Sequence, residues 1–188
     1  MSDLASGDAQ FFGASDLATG YFHAELTEEE KKYLAVTTED GLFISDKLQL
    51  GPKWAPCWFQ ARSREAFPPD FHVYIDDILI IQREGESEAD HLEKVETVLH
   101  RLQNKGFRAN LRKSFFMQKE VEYLGFLLTD KGIRPQPKKV EAMKRIKPPK
   151  NSKQLKQFLG MVNFYRDIWE KRSDILAPLS KLSNAKGK

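Results

Sequence analysis

The feature that most constrains this chain is a pair of adjacent aspartates, Asp76 and Asp77, inside an apolar stretch of β-type residues. Residues 71–74 and 78–81 flank the pair, and this pattern predicts a hairpin with the acids at its tip. Burying two like charges together is costly, and neighbouring side chains of a strand point to opposite faces. The two carboxylates can therefore act together only at a sharp turn.

Two interpretations of the pair stay open. Hard Mg²⁺ ions prefer carboxylate and phosphate oxygens, and two such ions can activate a 3′-hydroxyl and stabilise a leaving pyrophosphate. The plainer interpretation is a surface turn with two solvated aspartates, since aspartate is a common turn residue. Asp16 follows the β-type residues 11–14. It either supplies a bridging carboxylate from a second strand or caps a helix.

Charge is divided unevenly along the 188 residues. Residues 131–188 have a net charge of +12, and residues 1–130 have a net charge of −9. This division indicates either a polyanion bound by the basic part or a basic, solvated helical surface. The single cysteine, Cys57, excludes an internal disulfide, and we expect an intracellular, reducing compartment. No apolar run approaches the ~20 residues of a membrane span.

Local patterns predict an α+β chain. Asp40-Gly41 between two β-type runs is a hairpin signal. Leu92, Val95, Leu99 and Leu102 repeat at helical spacing before Gly106, which stands where a C-cap belongs. In chain order we predict a strand over 11–14, a hairpin over 35–44, a helix over 56–67, the hairpin of the aspartates, a helix over 87–105, a strand over 121–128, a basic helix over 137–146, and a helix from Asn151 that carries Leu155, Phe158, Leu159, Val162, Tyr165 and Trp169 on one face.

Five sequence blocks carry a resemblance to a known family. In order they read FFGASDLATGY (11–21), GPKWAPCWFQ (51–60), YIDDILI (74–80), VEYLGF (121–126), and FLGMVNFYR (158–166) with APLS at 177–180. Together they resemble the reverse transcriptase of gypsy-type LTR retrotransposons, rather than that of copia-type elements. The resemblance runs from about residue 11 to residue 182.

The resemblance implies an RNA-directed DNA polymerase that uses Mg²⁺, with Mn²⁺ as an alternative. It implies an α+β palm with an antiparallel sheet and helices on one face, then a helical thumb, with the fingers largely missing. We expect a frayed segment over 1–10, the palm with a fingers remnant over 11–130, and the basic thumb with the start of the connection over 131–188. The implied partners are an RNA or DNA template with a DNA primer, deoxynucleoside triphosphates, and other polyprotein segments or a host assembly.

The resemblance also implies roles for individual residues. Asp16, Asp76 and Asp77 would be the catalytic metal ligands. Tyr21 would lie under the incoming sugar, although a core tyrosine is the alternative. The other nucleotide-binding positions would be Leu17 and Leu50. The residues that would contact the template and primer are Gln60, Tyr74, Tyr123, Leu124, Gly125, Lys153 and Lys156.

Three departures from the family pattern leave two functional hypotheses. The fingers segment that supplies basic residues for the triphosphate does not precede Asp16, and residues 1–15 contain no Lys or Arg. Leu50 replaces an aromatic residue, and the segment from Gln60 to Tyr74 is shorter than in the family. We therefore expect either a polymerase whose extension by this chain alone is weak, or an inactive retroelement-derived fragment that acts as a nucleic-acid-binding or structural subunit.

Overall fold

A computed structural model describes residues 8–184 of the chain and confirms the α+β class. The strands are β1 (Ala9–Asp16), β2 (Val36–Thr38), β3 (Gly41–Phe43), β4 (His72–Tyr74), β5 (Asp77–Arg83), β6 (Phe115–Gln118), β7 (Glu120–Tyr123), β8 (Phe126–Thr129) and β9 (Gly132–Pro135). The α-helices are α1 (Glu28–Lys31), α2 (Ala55–Ala66), α3 (Glu88–Asn104), α4 (Pro137–Lys144), α5 (Ser152–Asn163) and α6 (Arg172–Asn184).

A four-stranded antiparallel sheet lies at the centre of the fold, in the order β4-β5-β1-β6. In β5 the run Ile78 to Ile81 is buried, as expected for a strand covered by neighbouring elements. The pairing of β1 with β5 is continuous from Phe11 opposite Gln82 to Asp16 opposite Asp77. This register fixes which residues meet at the end of the sheet where the aspartates lie.

The hairpin of β2 and β3 and the helices α2 and α3 agree with the sequence predictions. β2 and β3 form the hairpin predicted from Asp40-Gly41, and α2 ends one residue before Phe67, as the following prolines require. Ser87 caps α3 in a capping box with Asp90. The predicted apolar repeat marks the buried face of α3 only in part, because Val95 and Leu102 are buried whereas Leu92 is 57% exposed and Leu99 is 40% exposed.

The largest apolar core joins the sheet to α2, α3 and the segment between β1 and β2. Phe59 of α2 and Val98 of α3 are completely buried in it. Its members are Leu17, Ala24, Leu26, Leu34, Leu48, Ala55, Phe59, Ala66, Phe67, Ile78, Ile80, Val95, Val98 and Leu102. Burial of this set holds β1 and the aspartate hairpin against the helices.

Two predictions about the later part of the chain are wrong. The predicted strand over 121–128 is two strands, β7 and β8, separated by a turn at Leu124 (φ 47°) and Gly125 (φ 87°). Two consecutive residues with positive φ are typical of a tight type I′ hairpin turn. The predicted apolar helix from Asn151 ends at Asn163, so Tyr165 and Trp169 lie beyond α5.

The chain divides into two compact units. The first contains the chain up to Tyr123 together with Leu128–Gly132, and the second contains Leu124–Leu127 together with the chain from Ile133. The expected palm and thumb division at residue 130 stays a prediction. Of the segment expected to be frayed, residues 1–7 lie outside the described residues, whereas Ala9 begins β1. Among residues 8–184 no helix combines the length and apolarity needed to cross a membrane.

Candidate active site

The structure brings Asp16, Asp76 and Asp77 together at one end of the central sheet. Asp16 ends β1, Asp77 begins β5, and the two residues are cross-strand partners. Directly opposed residues of an antiparallel pair have Cβ atoms about 5 Å apart. Asp76 lies in the turn between β4 and β5, and its carbonyl oxygen accepts a hydrogen bond from the Leu17 N–H at 2.8 Å. The turn therefore places two adjacent carboxylates beside Asp16.

The turn itself has an unusual backbone. Ile75 has a φ of 54°, a left-handed conformation that strains a β-branched residue by about 1–3 kcal/mol. The side chain of Gln60, on α2, forms hydrogen bonds with the backbone of Val73 and of Ile75 in this turn. Its Nε2 donates to the Val73 carbonyl at 2.9 Å, and its Oε1 accepts from the Ile75 N–H at 2.6 Å. The side chain of Gln60 is thus used inside the protein to hold the hairpin that carries Asp76.

Gly20 and Tyr21 pack next to Asp76. A Cβ atom at position 20 would overlap Asp76 Oδ1 and lie 2.9 Å from Phe59 Cζ, so a larger residue there would displace the carboxylate. Tyr21 stacks on Phe59 with ring centroids 4.7 Å apart. Burial, and secondly the charge of Asp76, raise the pKa of the Tyr21 phenol. Tyr21 is therefore a neutral ring that is packed on the core and lies close to the carboxylates.

Both carboxyl groups of the hairpin, Asp76 and Asp77, have raised pKa values. Burial raises the pKa of Asp76 to about 6, with further contributions from the charges of Asp16 and Asp77. Burial and the charge of Asp16 also raise the pKa of Asp77. The positive charge of Lys113 has the opposite effect, because it lowers the pKa of both carboxyl groups. A cation at this end of the sheet would relieve the repulsion among the three side chains.

Two residues of the site were not found from the sequence. Lys113 Nζ lies 3.5 Å from Asp16 Oδ2, and Asn110 Nδ2 donates to the same oxygen at 3.4 Å. The Asn110 N–H also donates to the Asp16 carbonyl at 2.7 Å. The only sequence signal for these residues is a polar, basic stretch shortly after Gly106. Their position depends on a pairing across more than 90 residues, which local patterns do not reveal.

The carboxylate oxygens of the site suit a divalent cation. Asp76 Oδ1 is buried and has no hydrogen-bond partner among the described residues, and the charges of Asp16 and Asp77 act on the same carboxyl group. Bare carboxylate oxygens are the ligands that Mg²⁺ prefers. Within residues 8–184, however, no three acidic, histidine or cysteine side chains have the spacing of a formed metal site. The three carboxylates fit a divalent cation by the chemistry of their oxygen atoms and would be the residues that hold it.

The other predicted residues of the first unit have varied surroundings. Leu17 is buried in the core, so its side chain does not face a nucleotide, whereas Leu50 is 68% exposed. Tyr74, at the end of β4, is 51% exposed. Tyr123 is buried, and its hydroxyl donates to the His72 carbonyl at 3.4 Å. Burial, and secondly the charge of Asp77, raise the pKa of Tyr123.

In the second unit, the Leu124-Gly125 turn lies beside an aromatic cluster. Phe126 stacks on Phe164 with centroids 5.2 Å apart, and the Tyr165 hydroxyl donates to the Gly125 carbonyl at 3.4 Å. A Cβ atom at Gly125 would lie 2.8 Å from Lys139 Nζ. The Lys139 ammonium could move aside, so it is chiefly the φ of 87° that favours glycine at position 125.

Lys153 and Lys156 are one turn apart on α5, and both are exposed. They lie on either side of the buried Leu155 in sequence, so they share the outer surface of the helix. Neither lysine takes part in an ion pair within the described part of the chain. Both ammonium groups are therefore available to a phosphate.

Known proteins with similar sequences are retroelement polyproteins. The chain is 34% identical over 185 residues to the retrovirus-related Pol polyprotein from transposon opus of Drosophila melanogaster, covering 96% of this chain and 18% of that protein. It is 29% identical over 180 residues to the Pol polyprotein from transposon gypsy of the same organism, covering 94% of this chain and 17% of that protein. The chain thus spans less than a fifth of these curated relatives.

Similar solved structures are foamy viral protease-reverse transcriptases. One, in complex with an RNA/DNA hybrid, has a TM-score of 0.78 and 27% identity over 96% of this chain and 25% of that chain. Another, in complex with dsDNA, has a TM-score of 0.80 and 29% identity over 95% of this chain and 37% of that chain. The family model for reverse transcriptase (RNA-dependent DNA polymerase) matches residues 4–128. The chain belongs to the reverse transcriptase family, as represented in LTR retrotransposons.

Proposed function

We propose that this chain carries the catalytic carboxylates of an RNA-directed DNA polymerase that adds deoxynucleotides to a primer 3′-hydroxyl. The observation that supports this most directly is the pairing of Asp16 with Asp77 beside Asp76, whose buried Oδ1 has no hydrogen-bond partner among residues 8–184. Membership of the reverse transcriptase family gives the reaction class. The reaction forms a bond from the 3′-oxygen to the α-phosphorus and releases pyrophosphate.

Each residue of the site has a distinct part in this proposal. Asp16, Asp76 and Asp77 would hold Mg²⁺ ions, which when bound stabilise the charge on the attacking and leaving oxygens. Gln60 and Gly20 are positioning residues, because they fix the turn and the carboxylate of Asp76. Their contacts allow the ligands to be placed before the substrates bind, and positioning is a large part of phosphoryl-transfer catalysis.

Tyr21 is proposed to support the sugar of the incoming nucleotide. Its ring is backed by Phe59 and lies near Asp76, so a sugar bound next to the metal ligands would rest against it. A ring at this place would also clash with a 2′-hydroxyl and favour deoxynucleotides. The Leu17 N–H donates a hydrogen bond to the Asp76 carbonyl and so helps to hold the turn. The side chain of Leu50 is exposed and free to contact a ligand.

Contacts with a template or primer are proposed for each unit by itself. In the first unit, the exposed Tyr74 lies at the end of β4 beside the aspartate turn, whereas the buried Tyr123 supports β4 through its hydrogen bond to the His72 carbonyl. In the second, the Leu124-Gly125 turn would hold the primer end, and Lys153 and Lys156 of α5 would contact backbone phosphates. The foamy viral proteins of similar structure bind an RNA/DNA hybrid or dsDNA. Their ligands agree with this choice of partner.

A second candidate function is duplex binding without catalysis. It is favoured by the ion pair of Lys113 with Asp16 and by the lack of a formed three-ligand metal cluster within residues 8–184. A chain that keeps its basic surface but cannot assemble the ions would serve as a binding subunit of a larger assembly.

Primer extension distinguishes the two functions. The 188-residue chain is incubated with a DNA primer on RNA and DNA templates, deoxynucleoside triphosphates and Mg²⁺. We expect slow extension that Asp76→Asn abolishes, because the asparagine cannot supply the same anionic ligand. The matched control is Asp70→Asn, which removes an exposed carboxylate outside the site.

Duplex binding is measured on the same samples by fluorescence anisotropy. Extension by Asp76→Asn at the wild-type rate would contradict the polymerase proposal. Duplex binding by the wild-type chain with no extension in Mg²⁺ or Mn²⁺ would favour the binding subunit instead.

A further inference from the structure

The corner between β5 and α3 contains buried polar atoms that have no use in the function proposed above. His91, the fourth residue of α3, is completely buried, and neither nitrogen of its ring has a hydrogen-bond partner within residues 8–184. Gln82 of β5 is also buried, and its Oε1 has no partner in the described part of the chain. Buried polar atoms without partners are rare in folded proteins, so each of them calls for a physical reason.

Both side chains face the layer between the central sheet and α3. Side chains alternate along a strand, so Gln82 lies on the same face of β5 as Ile80. Ile80 packs in the apolar core that also contains Val95 of α3. His91 precedes Val95 by four residues and therefore lies on the same side of the helix. The amide and the imidazole share this layer without bonding to each other.

The imidazole of His91 lies against β1, the strand that ends at Asp16. A Cβ atom at Gly13 would be 3.4 Å from His91 Nε2 and 3.3 Å from Ile80 Cβ. Glycine at position 13 thus leaves the room that the ring occupies. β1 pairs with β5 on one side and with β6 on the other, so the ring is packed on an inner strand of the sheet. This strand offers the ring no charge, because residues 9–15 are all uncharged.

The charged groups that act on His91 are Lys94 and Glu86, and these two are paired with each other. Lys94 Nζ lies 2.6 Å from Glu86 Oε2 and donates to the Ile81 carbonyl at 2.9 Å. Glu86 also accepts from the Arg83 N–H at 2.8 Å. The acid that acts on the ring is therefore already used, and a positive charge on His91 would have no free carboxylate beside it among the described residues.

Protonation of His91 is unfavourable in the folded chain. Burial, then the charge of Lys94, lower its pKa, although the charge of Glu86 raises it. The ring is near the N-terminus of α3, where the helix dipole also opposes a positive charge. In the unfolded chain the ring takes up a proton near its ordinary pKa of 6.5. This proton therefore costs the fold nothing above pH 6.5, and the cost grows as the pH falls from 6.5 toward the folded-state pKa.

We propose that the buried ring of His91 is an acid-sensitive latch that holds α3 on the central sheet. The uncharged ring fills the space beside Gly13. When acid adds a proton, the imidazolium leaves the core for water, and α3 separates from β1 and β5. These two strands carry Asp16 and Asp77, so the pairing of the aspartates loses its support. The latch is a property of the fold and does not depend on the polymerase function.

Urea denaturation of the full chain at pH 7.5 and pH 5.0 tests the latch, with the wild type compared with His91→Leu. Leucine is an apolar side chain that cannot take up a proton. We expect the unfolding equilibrium constant to rise between these pH values by about tenfold more in the wild type than in the variant, because one extra proton on the unfolded state changes it by up to about tenfold per pH unit. Other titrating groups, including Asp76, are the same in both proteins and cancel in the comparison.

Two further variants make the comparison specific to the buried ring. His91→Gln keeps a polar side chain that cannot be protonated, and it should lose the pH response as His91→Leu does. His100→Gln is the matched control, because His100 is an exposed histidine on the same helix. It should keep the wild-type response. A wild-type response in either His91 variant overturns the proposal, and so does loss of the response in His100→Gln.

Hydrogen exchange and NMR of the wild type locate the opening without any substitution. Between pH 7.5 and pH 5.0, after correction for the intrinsic exchange rate, amides of β1 and α3 should lose more protection than those of α5 in the second unit. The ring signals of His91 should remain those of a neutral imidazole as long as β1 is protected. Protonation of His91 with unchanged protection of β1 overturns the proposal.

Discussion

At the scale of single residues, the stability of the fold and its proposed chemistry oppose each other at Asp76. This side chain is half-buried, one of its oxygens has no partner in the part of the chain that the structure describes, and burial together with the charges of Asp16 and Asp77 raises its pKa to about 6. A carboxyl group whose folded-state pKa is raised destabilises the fold when it is ionised. The cost is absent below the unfolded-state pKa of 3.8, grows as the pH rises from there to about 6, and is constant above that.

We therefore predict that Asp76→Asn stabilises the metal-free chain at neutral pH. The expected gain is about 1 kcal/mol in the free energy of unfolding, after allowance for solvent screening of a half-exposed group. Urea denaturation in EDTA at several pH values measures it. The difference between variant and wild type should be small near pH 3.8 and reach its full value above pH 6. A difference that shrinks as the pH rises would contradict the assignment.

At the scale of elements, sequence signals succeeded where they are local and failed where tertiary pairing decides. The capping box of Ser87 and the Asp-Gly turn of β2 and β3 depend on a few neighbouring residues, and both were predictable. The Leu124-Gly125 turn was not, because leucine rarely adopts a φ of 47° unless its surroundings impose it.

The aspartate hairpin is also held by a contact from another element. Gln60 of α2 satisfies the Val73 carbonyl and the Ile75 N–H on either side of the strained turn. We predict that Gln60→Ala lowers the free energy of unfolding by about 2 kcal/mol, because it leaves two backbone groups without their partner. Hydrogen exchange of the Ile75 amide should become faster than that of amides in the middle of β5.

Gln103→Ala provides the control, since Gln103 is an exposed glutamine on α3. Gln60→Glu separates the two bonds of the native side chain. It keeps the acceptor for the Ile75 N–H and loses the donor to the Val73 carbonyl, so its stability should lie between those of the alanine variant and the wild type. Unchanged exchange at Ile75 in Gln60→Ala would remove Gln60 from the positioning role.

At the scale of the whole molecule, the sequence predicted which side chains do the chemistry of the site better than it predicted how strands and distant segments bring them together. Asp76 and Asp77 stand out by themselves, but the pairing of Asp77 with Asp16 was expected only from the family order of the blocks. No local pattern gave the register of β1 with β5. The same limitation hid Asn110 and Lys113, which reach Asp16 through a bridge between distant segments. Side-chain chemistry is local in sequence, whereas a site assembled by a sheet is not.

The uneven charge of the chain leads to the last prediction. The basic residues 131–188 have a net charge of +12, and their exposed lysines on α5 face no ion-pair partner within the described residues. Each phosphate contact that releases a counterion adds about 0.9 to the slope of log affinity against log salt concentration for duplex DNA. We expect affinity for a primer-template to fall steeply with salt. Lys153→Ala with Lys156→Ala should weaken binding about equally for unrelated sequences and reduce the slope by about 1–2.

Fluorescence anisotropy with two duplexes of different sequence, between low and moderate salt, gives both quantities. The Lys32→Ala with Lys119→Ala pair has the same change in net charge and should leave the slope close to that of the wild type, because its lysines lie in the first unit and outside the basic segment. If both pairs flatten the slope equally, attraction depends on total charge and not on phosphate contacts at α5. A slope that neither pair changes would place the duplex on another surface of the chain.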